Sequence, residues 1–380
     1  MKIIKSWLQD YIDLDLENEK LADLLSLSGT AVDSFGEVLD SKVVVAEIRE
    51  VKKHPNADKL QIATVWNGEE ELQIVCGAPN IAPCQKVPLA QIGSVLGEGF
   101  VIKKAEIRGI ESSGMLCAAD ELGLGSDHSG IMILDSKWEI GQPLNKYIKS
   151  DAVFDIEITP NRGDLLSHIG VARELKALLK KELKKSNYEL KINKEAKEIE
   201  ISVVDSSLCP QYYGLKISGV KPAESPKWLK DRLTSSGFRP INNIVDVTNY
   251  ILLDLGQPLH AFDATKLKGG INIRPAHFGE GIVTLDGNLR ALDEGMIVIA
   301  DREEAIAIAG VMGGSNSEVD DKTSEIIIEA AEFERRSIRK TAKNLNLSSD
   351  ASYRFERGID SGNIENALKK AATLILEVLL

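Results

Sequence analysis

The sequence predicts a multidomain α+β protein that contains a small β-barrel or β-sandwich domain. Three observations predict this class. The chain has 380 residues, which corresponds to two or three domains of ordinary size. Between residues 43 and 144, short runs rich in Val and Ile are separated by Gly, Pro and Asn. From residue 201 onward, apolar runs of strand length alternate with amphipathic stretches of helix length.

Composition and charge narrow the functional classes. The chain has 46 Lys and Arg against 58 Asp and Glu, a net charge of −12, so it is not a generally basic nucleic-acid coat protein, and any RNA contact must be local. Cys76, Cys84, Cys117 and Cys209 form no zinc-type cluster, and we expect buried thiols in a reducing cytosol. The sequence shows neither a signal peptide nor a membrane span, which predicts a cytoplasmic protein without membrane contact.

The first half of the chain predicts a helix followed by a group of strands. Leucines at helical spacing predict a helix over Glu17–Leu27, which Gly29 ends. Five strands then fit a barrel similar to the OB fold, although the strand count does not choose between barrel types. These strands are Lys42–His54, Leu60–Trp66, Leu72–Cys76, Lys86–Ile92 and Val101–Ile107.

A strand and a helix follow the predicted barrel. The strand is Val153–Thr159, a turn covers Pro160–Gly163, and the amphipathic helix is Asp164–Lys180. The Lys- and Glu-rich stretch Lys180–Glu200 predicts an exposed connector, and we place a domain boundary there.

The last 180 residues predict a mixed domain. Helices are expected over Pro226–Gly237, Ile241–Leu255 and Asn363–Leu380, and a hairpin turn at Leu285–Asn288. The final helix ends inside an apolar run, which is typical of a truncated chain. Strands or apolar runs are expected at Ile201–Val204, Tyr213–Ile217, Met296–Ala300, Ala305–Ala309 and Ile326–Glu329.

Two motif classes that would indicate nucleotide chemistry are excluded. Ser167–Gly170 resembles the HIGH motif of class I synthetases, but the Rossmann strand and the lysine loop that this motif needs are missing, so His168 is expected on a helix surface. The sequence has neither a Walker A loop nor a GxGxxG fingerprint. The chain is therefore not expected to hold a nucleoside triphosphate by a known loop, and we expect no metal site.

Two further segments are candidates for a binding pocket. Gly256–Pro258 breaks a helix and presents His260 beside Phe262, and histidine is the common general base near neutral pH. An isolated histidine in this position is more often structural. Three glycines within Ala309–Gly314 permit either a nest of backbone N–H groups for an anion or a tight structural turn.

Charged residues near the C-terminus leave further alternatives open. Glu329 ends an apolar strand. Its carboxylate is either exposed at a sheet edge or buried, where it would recognise a polar group of a ligand. Arg354, Glu356 and Arg357 are expected to form salt bridges on a strand.

Several longer motifs resemble a known family. HPNADKL, IVCGAPN and SSGMLCA, at His54–Leu60, Ile74–Asn80 and Ser112–Ala118, resemble the tRNA-binding OB domain of several synthetases and tRNA-binding proteins. Four other segments resemble the β subunit of bacterial phenylalanyl-tRNA synthetases, in order along the whole chain, but only its N-terminal half. They are Ile158–Glu174, Gly256–Asp263, Ile308–Gly314 and Asp350–Gly358.

The resemblance implies an architecture and a set of partners. An OB-fold β-barrel (residues 40–150) would be inserted in an N-terminal α/β domain (residues 1–39 and 151–195) and followed by an α/β editing domain (residues 196–380), with the C-terminal part of the subunit missing. Aminoacylation would belong to a separate α subunit, in a heterotetramer of two α and two β chains that binds tRNA-Phe. ATP and Mg²⁺ would be used by that holoenzyme, and this segment would bind no cofactor.

The resemblance also implies roles for individual residues in hydrolysing tyrosine mischarged onto tRNA-Phe. Glu329 would read the tyrosine hydroxyl, and His260 would position water or the ester. Ser349 stands where many relatives have threonine, so the pocket shape would differ slightly. The other implied substrate-binding residues are Thr248, Asn249, Gly310, Gly313 and Ala351, and the cations expected to contact tRNA are Lys52, Lys53, Lys59, Lys103, Lys104 and Arg108. The alternative is a non-catalytic segment for tRNA binding and subunit assembly.

Overall fold

The computed structural model describes residues 1–37, 39–96, 100–124, 128–148, 151–184 and 199–378, and it divides into two compact units. The barrel unit comprises residues 2–6 and 34–155, and the mixed unit comprises residue 1, residues 7–33 and the chain from residue 156 onward. In the described part of the chain, no helix is both long and apolar enough to cross a membrane.

The first half contains the predicted helix near residues 17–27 and the first four predicted strands of the barrel, together with shorter elements that were not predicted. Helices are α1 (Lys5–Gln9), α2 (Asn18–Leu27) and α3 (His168–Leu179). Strands are β1 (Lys2–Ile4), β2 (Val32–Glu37), β3 (Val43–Lys53), β4 (Gln61–Trp66), β5 (Glu71–Cys76), β6 (Lys86–Ala90), β7 (Val95–Leu96), β8 (Phe100–Val101), β9 (Ala105–Ile107), β10 (Ile110–Ser112), β11 (Met115–Leu116) and β12 (Ala152–Ile156).

The barrel unit is built around a five-stranded sheet in the order β11-β6-β3-β4-β5. The long strand β3 pairs with both β4 and β6, and a register irregularity between Ile48 and Glu50 allows it to bend. The N–H of Ser113, just before β11, donates to the carbonyl of Gln73 in β5 at 2.9 Å. The two edges of the sheet therefore meet, and the sheet is nearly closed around an apolar core.

Two predictions for the barrel unit are wrong. Residues 101–107 do not form one strand, because Lys103 and Lys104 separate β8 from β9, and these strands belong to two separate two-stranded ribbons. The fifth strand of the sheet is β11 instead. Three cysteines are buried as expected, but Cys84 is exposed.

The mixed unit contains two sheets and most of the helices. Its remaining helices are α4 (Lys227–Ser235), α5 (Asn243–Leu255), α6 (Arg335–Asn344), α7 (Asp350–Phe355) and α8 (Ile364–Val378). Its remaining strands are β13 (Ile201–Val203), β14 (Gln211–Ser218), β15 (Leu259–Asp263), β16 (Ile271–Pro275), β17 (Gly281–Val283), β18 (Leu289–Ala291), β19 (Ile297–Ala300), β20 (Ala305–Ile308), β21 (Met312–Gly313) and β22 (Glu325–Glu332).

A three-stranded antiparallel sheet, in the order β14-β22-β15, organises this unit. Helices α5 and α8 pack against it. Alternate residues of a strand point to opposite faces, so Ile327, Glu329 and Ala331 of β22 share one face. Ile327 and Ala331 belong to the apolar core that includes the second sheet, in the order β13-β16-β19-β20-β21. This core therefore covers the face of β22 that carries Glu329.

The expected surface position of His168 is wrong. Its side chain is 0% exposed, its ring stacks on Trp7 at 3.9 Å, and its Nδ1 lies 2.9 Å from the carbonyl oxygen of Leu253. Ser167 caps α3, so the helix starts at His168, which is in phase with the buried Val171, Ala172 and Leu175. Burial lowers the pKa of His168 to about 3, so the ring is neutral.

The predicted strand around Arg354 is also wrong, because these residues form α7. Ser349 caps this helix, and a reciprocal hydrogen bond with Ser352 completes a capping box. Arg354 does form the expected type of salt bridge, with Asp350 at 3.1 Å, although its side chain is buried. Most of the predicted connector Lys180–Glu200 lies outside the described residues.

Candidate functional site

The strand register of the three-stranded sheet brings His260 and Glu329 together. His260 in β15 is directly opposite Glu329 in β22, and Gly214 in β14 is opposite Glu329 on the other side. Directly opposed residues of antiparallel strands share a face, with Cβ atoms about 4.5–5.5 Å apart. Tyr212, two residues before Gly214, is on the same face and is diagonal to Glu329.

The turn between α5 and β15 delivers His260 to this face. Helix α5 ends at Leu255, and Gly256 caps it in the left-handed conformation. The next residue, Gln257, is buried, and its Nε2 donates to the carbonyl of Ala331 in β22 at 3.0 Å. The turn is therefore bonded to the strand that carries Glu329.

Gly313 is the closest glycine to the His260 ring. A Cβ atom on Gly313 would lie 2.5 Å from Cε1 and 2.7 Å from Nε2 of His260. Only glycine leaves room for the ring at this position. On its other side, the imidazole makes an edge contact with Phe262 at 4.6 Å between ring centres.

Burial alters the charge states of both predicted catalytic residues. Glu329 is 6% exposed, and burial raises its pKa to about 8. Burial lowers the pKa of His260 to about 4. At pH 7 the site therefore presents a mostly protonated carboxyl group opposite a neutral imidazole.

Several buried polar atoms around Glu329 lack hydrogen-bond partners. Within the described ranges, this holds for Nε2 of His260, the hydroxyl of Tyr212 and Oε1 of Gln257. Burial, followed by the charge of Glu329, raises the pKa of Tyr212 well above its ordinary value. Buried polar groups are normally paired, since an unpaired one costs about 1–3 kcal/mol. Unpaired groups on His260 and Tyr212, which share the face of Glu329, are the arrangement expected of a site that binds a polar ligand or water.

The chemistry available to this set follows from the charge states. A neutral carboxyl group can both donate to and accept from a phenol. A neutral imidazole with a pKa near 4 is a weak base at pH 7, so Nε2 of His260 is better suited to orient water or an ester than to take a proton.

The other predicted binding residues have largely structural contacts. Gly310 has φ +64°, and a Cβ there would meet Ile338, Phe355 and Phe333 at 3.0–3.1 Å, so it supports a turn on the apolar core. The Ser349 hydroxyl accepts from the N–H of Ser352 and donates to the carbonyl of Val311 at 2.7 Å, which joins α7 to the glycine-rich turn. Ala351 packs against the same core.

Two further predictions concern α5 and the glycine-rich segment. Thr248 and Asn249 lie in α5, two turns before its end, and the Thr248 hydroxyl donates to the carbonyl of Val245 at 2.7 Å. In the glycine-rich segment, the N–H groups of Val311 and Gly314 donate to carbonyls of β20. These two amides are therefore unavailable to an anion, which favours the structural-turn interpretation.

The six predicted RNA-contacting cations are exposed on the barrel unit. Nε2 of His54 lies 3.2 Å from the carbonyl oxygen of Ile107, and Nδ2 of Asn56 donates to the carbonyl of Arg108 at 3.1 Å. These bonds hold the HPNADKL loop, with Lys59, next to Arg108. Lys52 and Lys104 are engaged with Glu50 and Glu111, both at 2.7 Å.

Two open clefts lie away from His260 and Glu329. One, of about 450 Å³, is in the barrel unit and is lined in part by Cys76, Lys103 and His128. The other, of about 880 Å³, is in the mixed unit beside Arg274 and Phe278. Among the described residues, no group of three or more His, Cys, Asp or Glu side chains is placed to hold a metal ion.

Two family models match this chain, one within the barrel unit and one within the mixed unit. A family model described as "Putative tRNA binding domain" matches residues 43–143, and one described as "B3/4 domain" matches residues 208–379. The phenylalanine–tRNA ligase β subunit of Chlorobaculum tepidum is 49% identical, over 100% of this chain and 47% of its own length. That of Syntrophus aciditrophicus is 45% identical, over 100% and 48%.

The chain belongs to the family of phenylalanine–tRNA ligase β subunits. It spans about half the length of the curated relatives it matches. A crystal structure of an N-terminal fragment of the phenylalanyl-tRNA synthetase β subunit from Pyrococcus horikoshii overlaps with 61% of this chain and 62% of its own. The overlap has a TM-score of 0.34 and 17% identity, which is too slight to add to the assignment.

Sequence reasoning missed Tyr212 and Gln257. Tyr212 reads as an ordinary aromatic residue of an alternating strand, and only the pairing of β14 with β22 shows that it shares a face with Glu329. Gln257 was read as part of a helix-breaking turn. Its position between a helix-ending glycine and a proline that begins a strand was the available signal, because a polar side chain in such a tight turn often bonds to backbone.

Proposed function

We propose that this chain is the part of a phenylalanine–tRNA ligase that binds tRNA and hydrolyses tyrosine mischarged onto tRNA-Phe. The observation that carries the proposal is the pair formed by Glu329 and His260, which are opposed in register: Glu329 is buried, and His260 is half-buried with a buried Nε2 atom that has no partner among the described residues. The near-closed sheet of the barrel unit supports an OB fold, and the B3/4 match supports an editing domain in the mixed unit.

A second pocket has a physical purpose in such an enzyme. A site shaped for phenylalanine rejects tyrosine by only about 100-fold, because an added hydroxyl is hard to exclude. A pocket built to hydrogen-bond that hydroxyl rejects the analogue lacking it by roughly 10⁴–10⁵. Glu329, buried and mostly protonated at pH 7, would exchange hydrogen bonds with the phenol. Phenylalanine would leave the carboxyl unpaired.

His260 would orient the reacting groups. Water adds to the ester carbonyl, the bond between that carbon and the ribose oxygen breaks, and the proton released by water ends on the ribose hydroxyl. Nε2 of His260 has no partner in the described part of the chain, so it is available to hold the water or the ester. Its low pKa favours positioning over proton abstraction.

The remaining parts of the proposal concern the assembly. The six exposed cations of the barrel unit would contact tRNA phosphates, each adding roughly 0.7–0.9 to the log–log salt dependence of tRNA affinity. Charging of tRNA would require the α subunit in a heterotetramer of two α and two β chains. ATP and Mg²⁺ would be used there, in the cytoplasm, and this segment would bind no cofactor.

Single-turnover deacylation of Tyr-tRNA-Phe and Phe-tRNA-Phe tests the proposal. Glu329→Ala should reduce the preference for the tyrosyl ester by roughly tenfold to a hundredfold, the equivalent of one buried hydrogen bond. His260→Ala should slow hydrolysis of both esters by about 10²-fold, because the water or the ester loses its positioning group. Glu325→Ala is the matched control, because Glu325 lies in the same strand but pairs with Lys216. Full tyrosine preference in Glu329→Ala would overturn the reader role.

A specific observation favours one alternative. The two clefts described above are lined by residues other than His260 and Glu329, and a segment that only binds tRNA and supports assembly needs no substrate pocket at these two residues. If the unaltered chain, with the α subunit and the rest of the β subunit present, binds tRNA but leaves Tyr-tRNA-Phe intact, the non-catalytic function is correct.

A further inference from the structure

Helix α6 carries a strongly basic surface that none of the roles above uses. Its inner side is made by Ile338, Thr341 and Ala342, which are buried. Its outer side holds only polar residues and has five exposed cations in ten residues. These are Arg335, Arg336, Arg339, Lys340 and Lys343.

The cations of α6 are not neutralised by neighbours. None of the five has an ion-pair partner within 4.0 Å among the described residues, although the chain has an excess of acidic side chains. Some exposed cations elsewhere in the mixed unit are paired, such as Lys216 with Glu325 and Lys227 with Asp231. Like charges at helical spacing repel each other, so an anionic partner would stabilise this surface.

The helix lies directly behind the glycine-rich turn of the candidate site. A Cβ on Gly310 would lie 3.0 Å from the side chain of Ile338, on the inner side of α6. The hydroxyl of Ser349, shortly after α6, donates to the carbonyl of Val311. The same turn continues to Gly313, which packs on the His260 ring. The inner side of α6 therefore packs on the same turn that contacts His260.

The side chains, rather than the helix N-terminus, form this surface. The Glu334 carboxylate accepts from the N–H groups of Arg336 and Ser337 at 3.1 and 2.7 Å, so the first amides are already bonded. Arg336, Arg339, Lys340 and Lys343 follow the i, i+3, i+4, i+7 pattern of one helix face. This stripe is about 10 Å long at 1.5 Å per residue. Guanidinium groups match the geometry of phosphate oxygens.

We infer that the outer face of α6 binds the sugar–phosphate backbone of the RNA strand whose esterified end enters the site at His260 and Glu329. A polyanion with evenly spaced charges fits a stripe of unpaired cations better than a single small anion does. The part of this inference that places the esterified end at His260 and Glu329 rests on the proposed function. The part that assigns RNA binding to α6 rests only on the charges and contacts of that helix.

Salt-dependent tRNA binding tests the surface directly. The variant combines Arg336→Gln, Arg339→Gln, Lys340→Gln and Lys343→Gln. The control combines Lys20→Gln, Lys221→Gln, Lys268→Gln and Lys322→Gln, which removes the same charge from exposed positions of the same unit. The α6 variant should reduce the slope of log affinity against log salt by about 0.7–0.9 for each lost contact, or roughly 3 in total. The control should keep the parent slope.

Two paired variants keep the test valid if the fourfold variant melts. Arg336→Gln with Lys343→Gln, and Arg339→Gln with Lys340→Gln, should each lose about half of the slope change. A slope equal to that of the parent in both pairs would overturn the inference. Displacement of tRNA by polyglutamate as effectively as by unlabelled tRNA, at equal charge, would also overturn it and indicate an acidic protein partner.

A comparison of two substrates separates this inference from the proposed function. With the full ligase, the α6 variant should hydrolyse Tyr-tRNA-Phe more slowly than the parent at subsaturating enzyme, but should hydrolyse 3′-O-tyrosyl-adenosine, which has no phosphate, at the parent rate. Equal slowing on both substrates would contradict a backbone-binding role. If the parent hydrolyses neither substrate, the proposed function fails, and the salt slope still decides whether α6 binds RNA.

Discussion

Two polar clusters in the mixed unit, each built around a buried carboxyl group, differ in how completely they are paired. In the anchoring cluster, Asp254 is 0% exposed and accepts from three donors. The donors are Nε1 of Trp7 at 2.7 Å, the hydroxyl of Tyr11 at 2.7 Å and Nζ of Lys370 at 2.5 Å. In the open cluster, Glu329 lies among Tyr212, Gln257 and His260, each with an unpaired polar atom in the described ranges.

The difference separates a structural role from a binding role. Asp254 joins α1, α5 and α8, and both of its carboxylate oxygens accept hydrogen bonds from the protein. The open cluster keeps donors and acceptors that only a ligand or water would satisfy. Burial alone therefore does not identify a functional site, and the unpaired buried atoms distinguish the open cluster from the anchoring cluster.

The largest expected effect is the loss of the anchoring cluster. Asp254→Ala leaves the Lys370 ammonium buried without its partner, so the mixed unit should lose about 3–5 kcal/mol of stability. Native-state hydrogen exchange of the β22 amides measures this loss. Asp10→Ala, which removes an exposed ion pair with Arg232, is the control and should cost at most about 1 kcal/mol. Similar values for both variants would show that Asp254 is not an anchor.

Removing the carboxylate of the open cluster should stabilise the protein at high pH, whereas removing Asp254 destabilises it. Unfolded Glu329 has a pKa near 4.5 and folded Glu329 one of about 8, so folding favours its protonated form and stability falls as pH rises between these values. The lowered pKa of His260 acts oppositely between pH 4 and 6.5. Between pH 6.5 and 8, the pH dependence of stability therefore reports on Glu329 and not on His260.

In that window the parent should lose roughly 1–2 kcal/mol, and Glu329→Gln should lose none of this and be the more stable protein at pH 8. Urea denaturation at pH 6.5 and pH 8 measures both changes. Glu325→Gln, in the same strand, should keep the pH dependence of the parent. If Glu329→Gln keeps it as well, Glu329 is ionised in the folded protein and our description of its burial is wrong.

Two tyrosines give a smaller but sharper comparison. Tyr11→Phe removes a hydrogen bond to the Asp254 carboxylate and should cost about 1.5–3 kcal/mol. Tyr212→Phe removes a buried hydroxyl without a partner among the described residues, so it should be neutral or slightly stabilising. Melting temperatures of both variants provide the test. A larger loss for Tyr212→Phe would mean that its hydroxyl is paired in solution.

Local pattern was enough to predict most elements. Alternating Val and Ile runs predicted β3, β4, β5 and β6 to within two residues, because a strand with one buried face shows period 2 whatever it pairs with. The failure at residues 101–107 has a local cause, since adjacent lysines break that alternation. At Asp350–Phe355, the Ser349 cap was a helix signal that the charge pattern obscured.

The geometry of the site was not accessible from pattern alone. The residue types of His260 and Glu329 could be singled out, but their opposition depends on the register between β15 and β22, which are far apart in the chain. The expected position of His168 failed for a related reason. Its apolar phase within α3 was visible, but its partners, Trp7 and the Leu253 carbonyl, come from other segments.

The central claim is that the open cluster recognises a phenol through a hydrogen bond with Glu329. One binding measurement tests this claim most directly. Adenosine carrying tyrosine or phenylalanine through a non-hydrolysable 3′-amide is titrated calorimetrically into the parent and into Glu329→Ala at pH 7. The parent should prefer the tyrosyl compound, and Glu329→Ala should reduce that preference by roughly tenfold to a hundredfold. Equal affinities in the parent, or an unchanged preference in Glu329→Ala, would contradict the claim.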